Sequence, residues 1–330
     1  MRRLAPLLAA LAVIVGTQPA SAAATVRRIA GNDRYATAAA VALDRWDRPS
    51  DVLLANGANP SDALAGAYAS GLHSSPVFLT ERDTVPQSTL DAIATLHARK
   101  IHLLGGTGSI SAEVEASLVS RGYDVVRHAG TDRYGTAAAI ARSEGPAIVG
   151  SWQEEGRTAL LANGLQPWDA LAGGPLAAGQ LFPLLLTETD AIPPATQALL
   201  DDYDIQHVIV LGGTGAVSDG VVASLTASGR TVRRVAGADR MATAVAVAGL
   251  LEELGYEPAR VALTSATSTA DAMAAGPWAA PGTPVLLCET PSFCGQATMT
   301  WAAMHDASEV VGCAGSAAVS DSAAAMVAVA

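Results

Sequence analysis

Residues 28–40 read RIAGNDRYATAAA, and the pattern returns as RHAGTDRYGTAAA at residues 127–139 and as RVAGADRMATAVA at residues 234–246. Eight of the thirteen positions are identical in all three copies. The motif glycines are 99 and 107 residues apart, which is too far for a small solenoid repeat and suits a compact α/β module. The sequence therefore predicts three tandem modules that fill the chain.

Each motif is followed by short apolar runs that alternate with helical patterns. In the first module DVLLANG, SPVFLT and KIHLLGG are predicted strands, each followed by a predicted helix. Near-continuous apolar strands separated by helices indicate an α/β fold with a parallel sheet covered on both faces. The second module repeats this order with eight extra residues in SEGPAIVGSWQEEG, a predicted surface insertion, and the third module is looser.

The order of strands also predicts how the modules meet. A strand leads into the second and third motifs, but the third module ends in a helix with no strand after it. The chain begins with such a strand, TVRRIAG from Thr25, so we expect a pseudo-threefold arrangement that brings this strand to the third module. The predicted divisions are a signal peptide at 1–22, a first module at 23–124, a second at 125–231 and a degenerate third at 232–330.

The first 22 residues have the form of a secretory signal peptide. Arg2 and Arg3 precede a thirteen-residue apolar run, and an A-x-A site ends at Ala22. The run covers about 20 Å of helix against the roughly 30 Å of a bilayer core, so we expect cleavage and no membrane insertion afterwards.

Charge and composition exclude some partners of the mature chain. Without the two leading arginines it has eighteen basic and thirty-one acidic residues, hence a net charge of −13, which disfavours nucleic acid as a partner. Lys100 is the only lysine and alanine is abundant, which is typical of a high-GC bacterial coding sequence. We therefore expect an actinobacterial source.

The cysteines and histidines give no pattern of a catalytic or metal centre. Cys288, Cys294 and Cys313 contain no CxxC pair; the first two could close a small ring and leave the third as a buried thiol, but the sequence leaves the pairing open. The six histidines recur at no equivalent position and form no HExxH motif, and a G-x-S-x-G elbow is absent. We expect no catalytic residue, no metal ligand and no cofactor.

The motif itself supplies the candidate binding residues. Asp33 follows a strand end and precedes a helix, so it is predicted to cap backbone N–H groups, and the neighbouring Arg34 suits a phosphate or carboxylate. In the alternative interpretation, Arg34, Arg133 and Arg240 pair with the repeated aspartates Asp62, Asp169 and Asp271 of their own repeats, respectively, and only tie two loops together. The candidates are Asp33, Arg34, Asp132, Arg133, Asp239 and Arg240, with Asp62, Asp169 and Asp271 as partners.

Two further patterns restrict the kind of ligand that the chain is expected to bind. GGTGS after Leu104 and GGTGA after Leu211 lack both the G-x-G-x-x-G frame and a P-loop lysine, so they are predicted to be Gly-rich turns. Aromatic residues make up 4% of the chain and the five tryptophans share no register, so no repeated stacking platform for sugar rings is expected. Recognition of a polymer would then depend on hydrogen bonds and arginine.

These motifs resemble the cell wall-binding repeat 2 family of Gram-positive surface proteins. The resemblance lies in A-G-x-D-R-x-x-T-A, L-A-N-G-x-x-x-x-D-A-L-A-G, the P-x-x-L-T strand and the G-G-x-x-x-x-S turn, which recur in order over essentially the whole mature chain. It implies three Rossmann-like or Toprim-like modules in a compact pseudo-trimer, secreted to the cell wall or cell surface. It also implies non-covalent binding to a wall polymer, either a teichoic-like or other anionic glycopolymer or peptidoglycan.

The resemblance is weakest in the third module, where Thr264, Ser265 and Ala266 replace Ala-Asn-Gly and the GGTG turn is missing. Family members often carry an amidase or protease domain, and we expect no room for one here. The expected function is therefore non-catalytic wall binding. Two alternatives stay open, a structural surface-layer or adhesive protein and a small-ligand or nucleotide-binding enzyme with a deep pocket at the GGTG turns.

Overall fold

The computed structural model describes residues 24–153 and 156–330, and the predicted signal peptide lies outside them. The strands of the described residues are β1 Thr25–Arg28, β2 Asp51–Asn56, β3 Val77–Thr80, β4 Lys100–Leu104, β5 Asp124–His128, β6 Thr158–Asn163, β7 Leu184–Thr187, β8 His207–Leu211, β9 Thr231–Val235, β10 Arg260–Ser265, β11 Val285–Cys288 and β12 Glu309–Gly312.

The α-helices of the same residues are α1 Arg34–Arg45, α2 Pro60–His73, α3 Gln87–Thr95, α4 Ala112–Ser120, α5 Arg133–Ala141, α6 Gly174–Gly179, α7 Pro194–Asp202, α8 Asp219–Ala227, α9 Arg240–Glu253, α10 Ala270–Ala279, α11 Gly295–Ala302 and α12 Asp321–Ala328. Short 3₁₀ helices span Pro146–Ile148 and Asp169–Gly173. None of the helices described here is both long enough and apolar enough to cross a bilayer.

The strands form three four-stranded parallel sheets with one topology. Their orders are β3-β2-β4-β5, β7-β6-β8-β9 and, for the third, β11-β10-β12-β1. The expected α/β class with three repeated parallel sheets is confirmed.

Both faces of each inner strand are buried, which explains its unbroken apolar sequence. Along β2, Leu53 and Ala55 pack into the large core that the modules share, whereas Val52 and Leu54 pack into a separate core on the opposite face. Because successive side chains of a strand point to opposite faces, a strand covered on both sides has no position for a solvated polar residue.

The N-terminal strand closes the third sheet, as the sequence predicted. β1 pairs with β12 from Thr25 opposite Glu309 to Arg28 opposite Gly312. The N–H of Ile29 donates to the carbonyl of Gly312 at 2.9 Å, which extends the ladder. Each sheet thus ends in the strand that leads into the next motif, and the chain closes into a ring of three. The boundaries of the modules stay a prediction.

Three helices form the centre of this ring. α2 packs on α6 and α10, and α6 also packs on α10. A Cβ atom at Gly174 would lie 2.5 Å from the Cα of Gly276, so α6 and α10 approach at backbone distance and exclude any side chain there. The large shared core contains residues of all three modules, which makes the pseudo-trimer compact.

Two details complete the predictions about the chain. Cys288 and Cys294 form a disulfide, and Cys313 is a free, fully buried thiol. The segment 143–156, expected to be a surface insertion, lies only partly at the surface. Trp152 is 2% exposed and packs in the shared core, because a large apolar side chain gains more from burial than from solvent.

Candidate functional site

The repeated motif begins each of α1, α5 and α9. The side chain of Asp33 accepts from the N–H of Ala36 at 2.8 Å, and Asp132 and Asp239 cap their helices in the same way at 2.7 and 2.8 Å. Capping by these three aspartates therefore agrees with the sequence prediction, and it satisfies a backbone donor that the helix cannot.

The first arginine of each motif is structural, a role that sequence reasoning did not assign. Arg127 donates to the carbonyl of Gly105 at 2.8 Å and pairs with Glu115 at 2.8 Å. Arg234 and Arg28 make the same two kinds of contact, to the carbonyls of Gly212 and Ala314 and to Asp219 and Asp321. These arginines tie the edge strand to the Gly-rich turn, and their recurrence in every motif was the available signal.

The second arginine of each motif uses only one nitrogen on the protein. Nη1 of Arg34, Arg133 and Arg240 donates to the carbonyls of Gly57, Gly164 and Ala266 at 2.8, 2.6 and 2.6 Å. Within residues 24–153 and 156–330, their Nε and Nη2 atoms have no hydrogen-bond partner. Arg34 is exposed and the other two are half-buried. Each guanidinium is thus fixed at one end and presents its remaining donors.

The repeated aspartates do not pair with these arginines as expected. Asp62 faces Arg133 of the following repeat, and no ion pair within 4 Å forms between them in the described part of the chain. The other two follow the same order, Asp169 facing Arg240 and Asp271 facing Arg34. Pairing within one repeat is wrong because the strand before each motif belongs to the preceding sheet, which places the arginine over the preceding module.

We call these three places the joints. The first joint comprises Arg34, Gly57 and Asp271; the second comprises Arg133, Gly164 and Asp62; the third comprises Arg240, Ala266 and Asp169. All the candidate residues of the sequence analysis lie at a joint, either as contact residues or as the caps beside them.

The joint carboxyl groups are unusually buried. Asp62 is 3% exposed and Asp271 8%, and burial raises the pKa of each to about 6. Burial also raises the pKa of Asp169. Asp62 accepts hydrogen bonds from Ser109 Oγ at 3.1 Å and Asn59 Nδ2 at 3.2 Å. Protonation of these groups below pH 6 removes negative charge beside the arginines.

The third joint keeps its geometry despite its altered sequence. A Cβ at Gly164 would lie 2.7 Å from Cε1 of Tyr134, so the usual glycine is required by the motif tyrosine. The third module has alanine at the glycine position and Met241 at the tyrosine position, and a flexible methionine leaves room for that methyl group. Arg240 also lies 4.4 Å above the ring of Trp168, a cation–π contact.

The GGTG turns are bonded to the edge strands of their sheets. The carbonyls of Gly105 and Gly212 accept from the first motif arginines. Five open surface depressions of the described residues are lined by other parts of the chain.

A cluster that the sequence did not indicate lies in the first module. His73, His102 and His128 come together with Asp51 between the first sheet and the ends of α2 and α5. Sequence spacing gave no set of histidines because the members come from separate strands and a helix.

The family described as Cell wall binding domain 2 (CWB2) matches residues 28–115, 127–222 and 234–324, well over half of the chain.

Two relatives come from Bacillus subtilis (strain 168). The chain is 27% identical to N-acetylmuramoyl-L-alanine amidase LytC over 270 residues, which are 82% of this chain and 51% of that protein. It is 33% identical to the protein called amidase enhancer over 251 residues, which are 76% of this chain and 32% of that protein. The chain thus spans about half or less of these relatives.

Solved structures show the same fold. Cwp8 from Clostridium difficile superposes with a TM-score of 0.78 at 22% identity, covering 92% of this chain and 51% of that one. Cwp6 from the same organism gives 0.79 at 21% identity, covering 95% and 49%.

Proposed function

The chain belongs to the Cell wall binding domain 2 family, and we propose that this secreted protein of the cell wall or cell surface holds an anionic wall polymer at its three joints. The arginines Arg34, Arg133 and Arg240 would contact phosphate or carboxylate groups of the polymer. The motif aspartates would hold the helix starts from which these arginines project.

One observation carries this proposal. Each joint arginine donates from Nη1 to a backbone carbonyl while Nη2 and Nε stay without a partner in the described residues. A guanidinium fixed in this way loses little side-chain entropy on binding, and its planar set of donors matches phosphate and carboxylate oxygens. The neighbouring helix N-terminus adds a further favourable field for an anion.

The threefold repetition suits a polymer rather than a single small anion. A chain of repeating charged units bound at one joint raises the effective concentration of further units at the other two. Because the mature chain has a net charge of −13, the attraction is local to the joints. Added salt screens such contacts between exposed charges, so binding should weaken as ionic strength rises.

We also propose that the chain has no catalytic role. The three motif aspartates are used as helix caps, and each buried joint aspartate lies beside a joint arginine. Helix capping and the neighbouring arginines account for these carboxyl groups without a role in acid–base catalysis. A Gram-positive, actinobacterial source remains our inference from composition.

Substitution of the joint arginines tests the proposal. Gln in place of Arg34, Arg133 and Arg240 keeps a donor for the carbonyl and removes the charge. The triple variant should co-sediment with purified cell walls at least tenfold more weakly than the wild type, and each single variant should weaken binding less. Arg82→Gln is the control, because Arg82 is an exposed arginine paired with Asp83.

Undiminished binding of the triple variant would refute the proposed site. Sedimentation of the protein without walls would instead indicate self-assembly and a structural surface-layer role.

A further inference from the structure

The histidine cluster of the first module places three possible metal ligands around one point. Nε2 of His102 lies 3.0 Å from Oδ2 of Asp51, and Nδ1 of His73 lies 3.8 Å from the same oxygen. The ligand atoms of all three residues lie within 4.8 Å of one another. Ligands of a tetrahedral zinc ion, each about 2.0 to 2.2 Å from the metal, are roughly 3.3 Å apart. The observed distances bracket that value.

The outward nitrogen of His102 is within hydrogen-bond distance of an acceptor, and that of His73 lies near a carboxylate without a hydrogen bond to it. Nδ1 of His102 lies 2.9 Å from Nε2 of His128. Nε2 of His73 is buried, has no hydrogen-bond partner in the described ranges and lies 3.9 Å from Oε1 of Glu144. Histidines that bind metals almost always donate their other ring N–H to such a partner, which fixes the tautomer. The cluster therefore contains both ligands and supporting groups.

The positions equivalent to His102 and His128 are apolar in the second module, so folding does not require a histidine at either of them. His102 lies opposite Leu53, and in the second sheet Ile209 lies opposite Leu160. His128 lies opposite Leu104, and Val235 lies opposite Leu211. A buried polar group costs stability unless it is satisfied, so imidazoles in place of apolar side chains at these two positions indicate a role beyond packing.

We propose that Asp51, His73 and His102 bind a divalent transition-metal ion, of which Zn²⁺ is the best fit, with a fourth position open to water. Two imidazole nitrogens and one carboxylate suit Zn²⁺ or Co²⁺ and do not suit Ca²⁺ or Mg²⁺, which prefer oxygen ligands. The ion would join β2, β4 and α2, and Glu144 would link it to the segment that follows α5 in the second module.

The imidazole rings of the cluster stack on one another. The ring centroids of His73 and His102 are 4.6 Å apart, and those of His102 and His128 are 5.2 Å apart.

The experiment measures metal binding to the mature chain after dialysis against a chelator. Calorimetric titration with ZnCl₂ should show one tight site per chain, and Zn²⁺ but not Ca²⁺ should raise the melting temperature. Titration with CoCl₂ should give the intense visible absorption of four-coordinate Co²⁺. Absence of both the zinc heat and the cobalt spectrum in the unsubstituted protein would overturn the proposal.

Variants of the cluster test which residues bind the metal ion. His102→Ile installs the residue that the second module uses, so this variant should fold and should bind Zn²⁺ at least a hundredfold more weakly. Glu144→Gln, which removes only a supporting group, should weaken binding about tenfold. His97→Asn is the control, because His97 is exposed and is not one of the clustered residues. Equal Zn²⁺ affinity in wild type and His102→Ile would contradict the assignment.

Discussion

The buried joint carboxyl of Asp62 should make the protein less stable as the pH rises, and Asp62→Asn should remove this effect. Burial raises the pKa of Asp62 from 3.8 to about 6, so the folded protein binds this proton more tightly than the unfolded chain does. The stabilising effect of the proton is complete below pH 3.8 and is lost as the pH rises through about 6.

The magnitude follows from the size of the pKa shift. A rise from 3.8 to about 6 corresponds to about 3 kcal/mol of stability lost by neutral pH, at about 1.4 kcal/mol per unit. An amide at position 62 carries no charge to desolvate and can still accept from Ser109. The amide accepts a hydrogen bond less strongly than a carboxylate does, which reduces the gain in stability by roughly 1 kcal/mol. We expect a net gain of about 2 kcal/mol at pH 7.5.

Urea denaturation at pH 4.5, 6.0 and 7.5 measures this gain. Asp62→Asn should match or fall below the wild type at pH 4.5 and exceed it at pH 7.5. Asp91→Asn is the control, because Asp91 is exposed and its carboxylate accepts from Gln87 on the same helix. A difference between Asp62→Asn and wild type that stays constant across the three pH values would refute the reasoning.

Three further predictions follow from the joints and the sheets. Wall binding should strengthen as the pH falls from 7.5 to 5.5, because the joint carboxyl groups with a pKa of about 6 become neutral while arginine stays charged. In co-sedimentation, wall binding of Asp62→Asn should depend less on pH than that of the wild type. An equal pH dependence in both proteins would contradict this prediction. Gly164→Ala should lower the free energy of unfolding by about 1 to 3 kcal/mol, because the added methyl group overpacks against Tyr134. Adding Tyr134→Met to this variant should restore most of that stability in urea denaturation. A double variant no more stable than Gly164→Ala would contradict the assigned clash. Deletion of residues 24–28 should lower the melting temperature and speed amide exchange in β12, whereas unchanged exchange would show that β1 is dispensable.

The features that the sequence predicted have local signals. The parallel sheets were predictable because strands buried on both faces have unbroken apolar sequences, as in β2. The helix caps at Asp33 and its equivalents were predictable because aspartate is strongly preferred immediately before the first residue of a helix. The closing of the third sheet by β1 could be inferred from counting strands between repeats.

The features that the sequence did not predict depend on contacts distant along the chain. Asp62 and Arg133 face each other only because the ring arrangement sets one module over the next, so the pairing inside a repeat was wrong. His73 and His102 meet through a helix end and a strand that no spacing rule connects. Trp152 is buried because it packs into the shared core, and the sequence of the insertion alone does not show that this part of it reaches the core.

Co-sedimentation of residues 23–330 with purified cell walls before and after removal of their anionic polymers tests the central claim most directly. Polymer binding through the joint arginines predicts strong binding to intact walls, loss of that binding on stripping, and competition by the released polymer. Full binding to stripped walls would contradict the claim and identify peptidoglycan itself as the ligand.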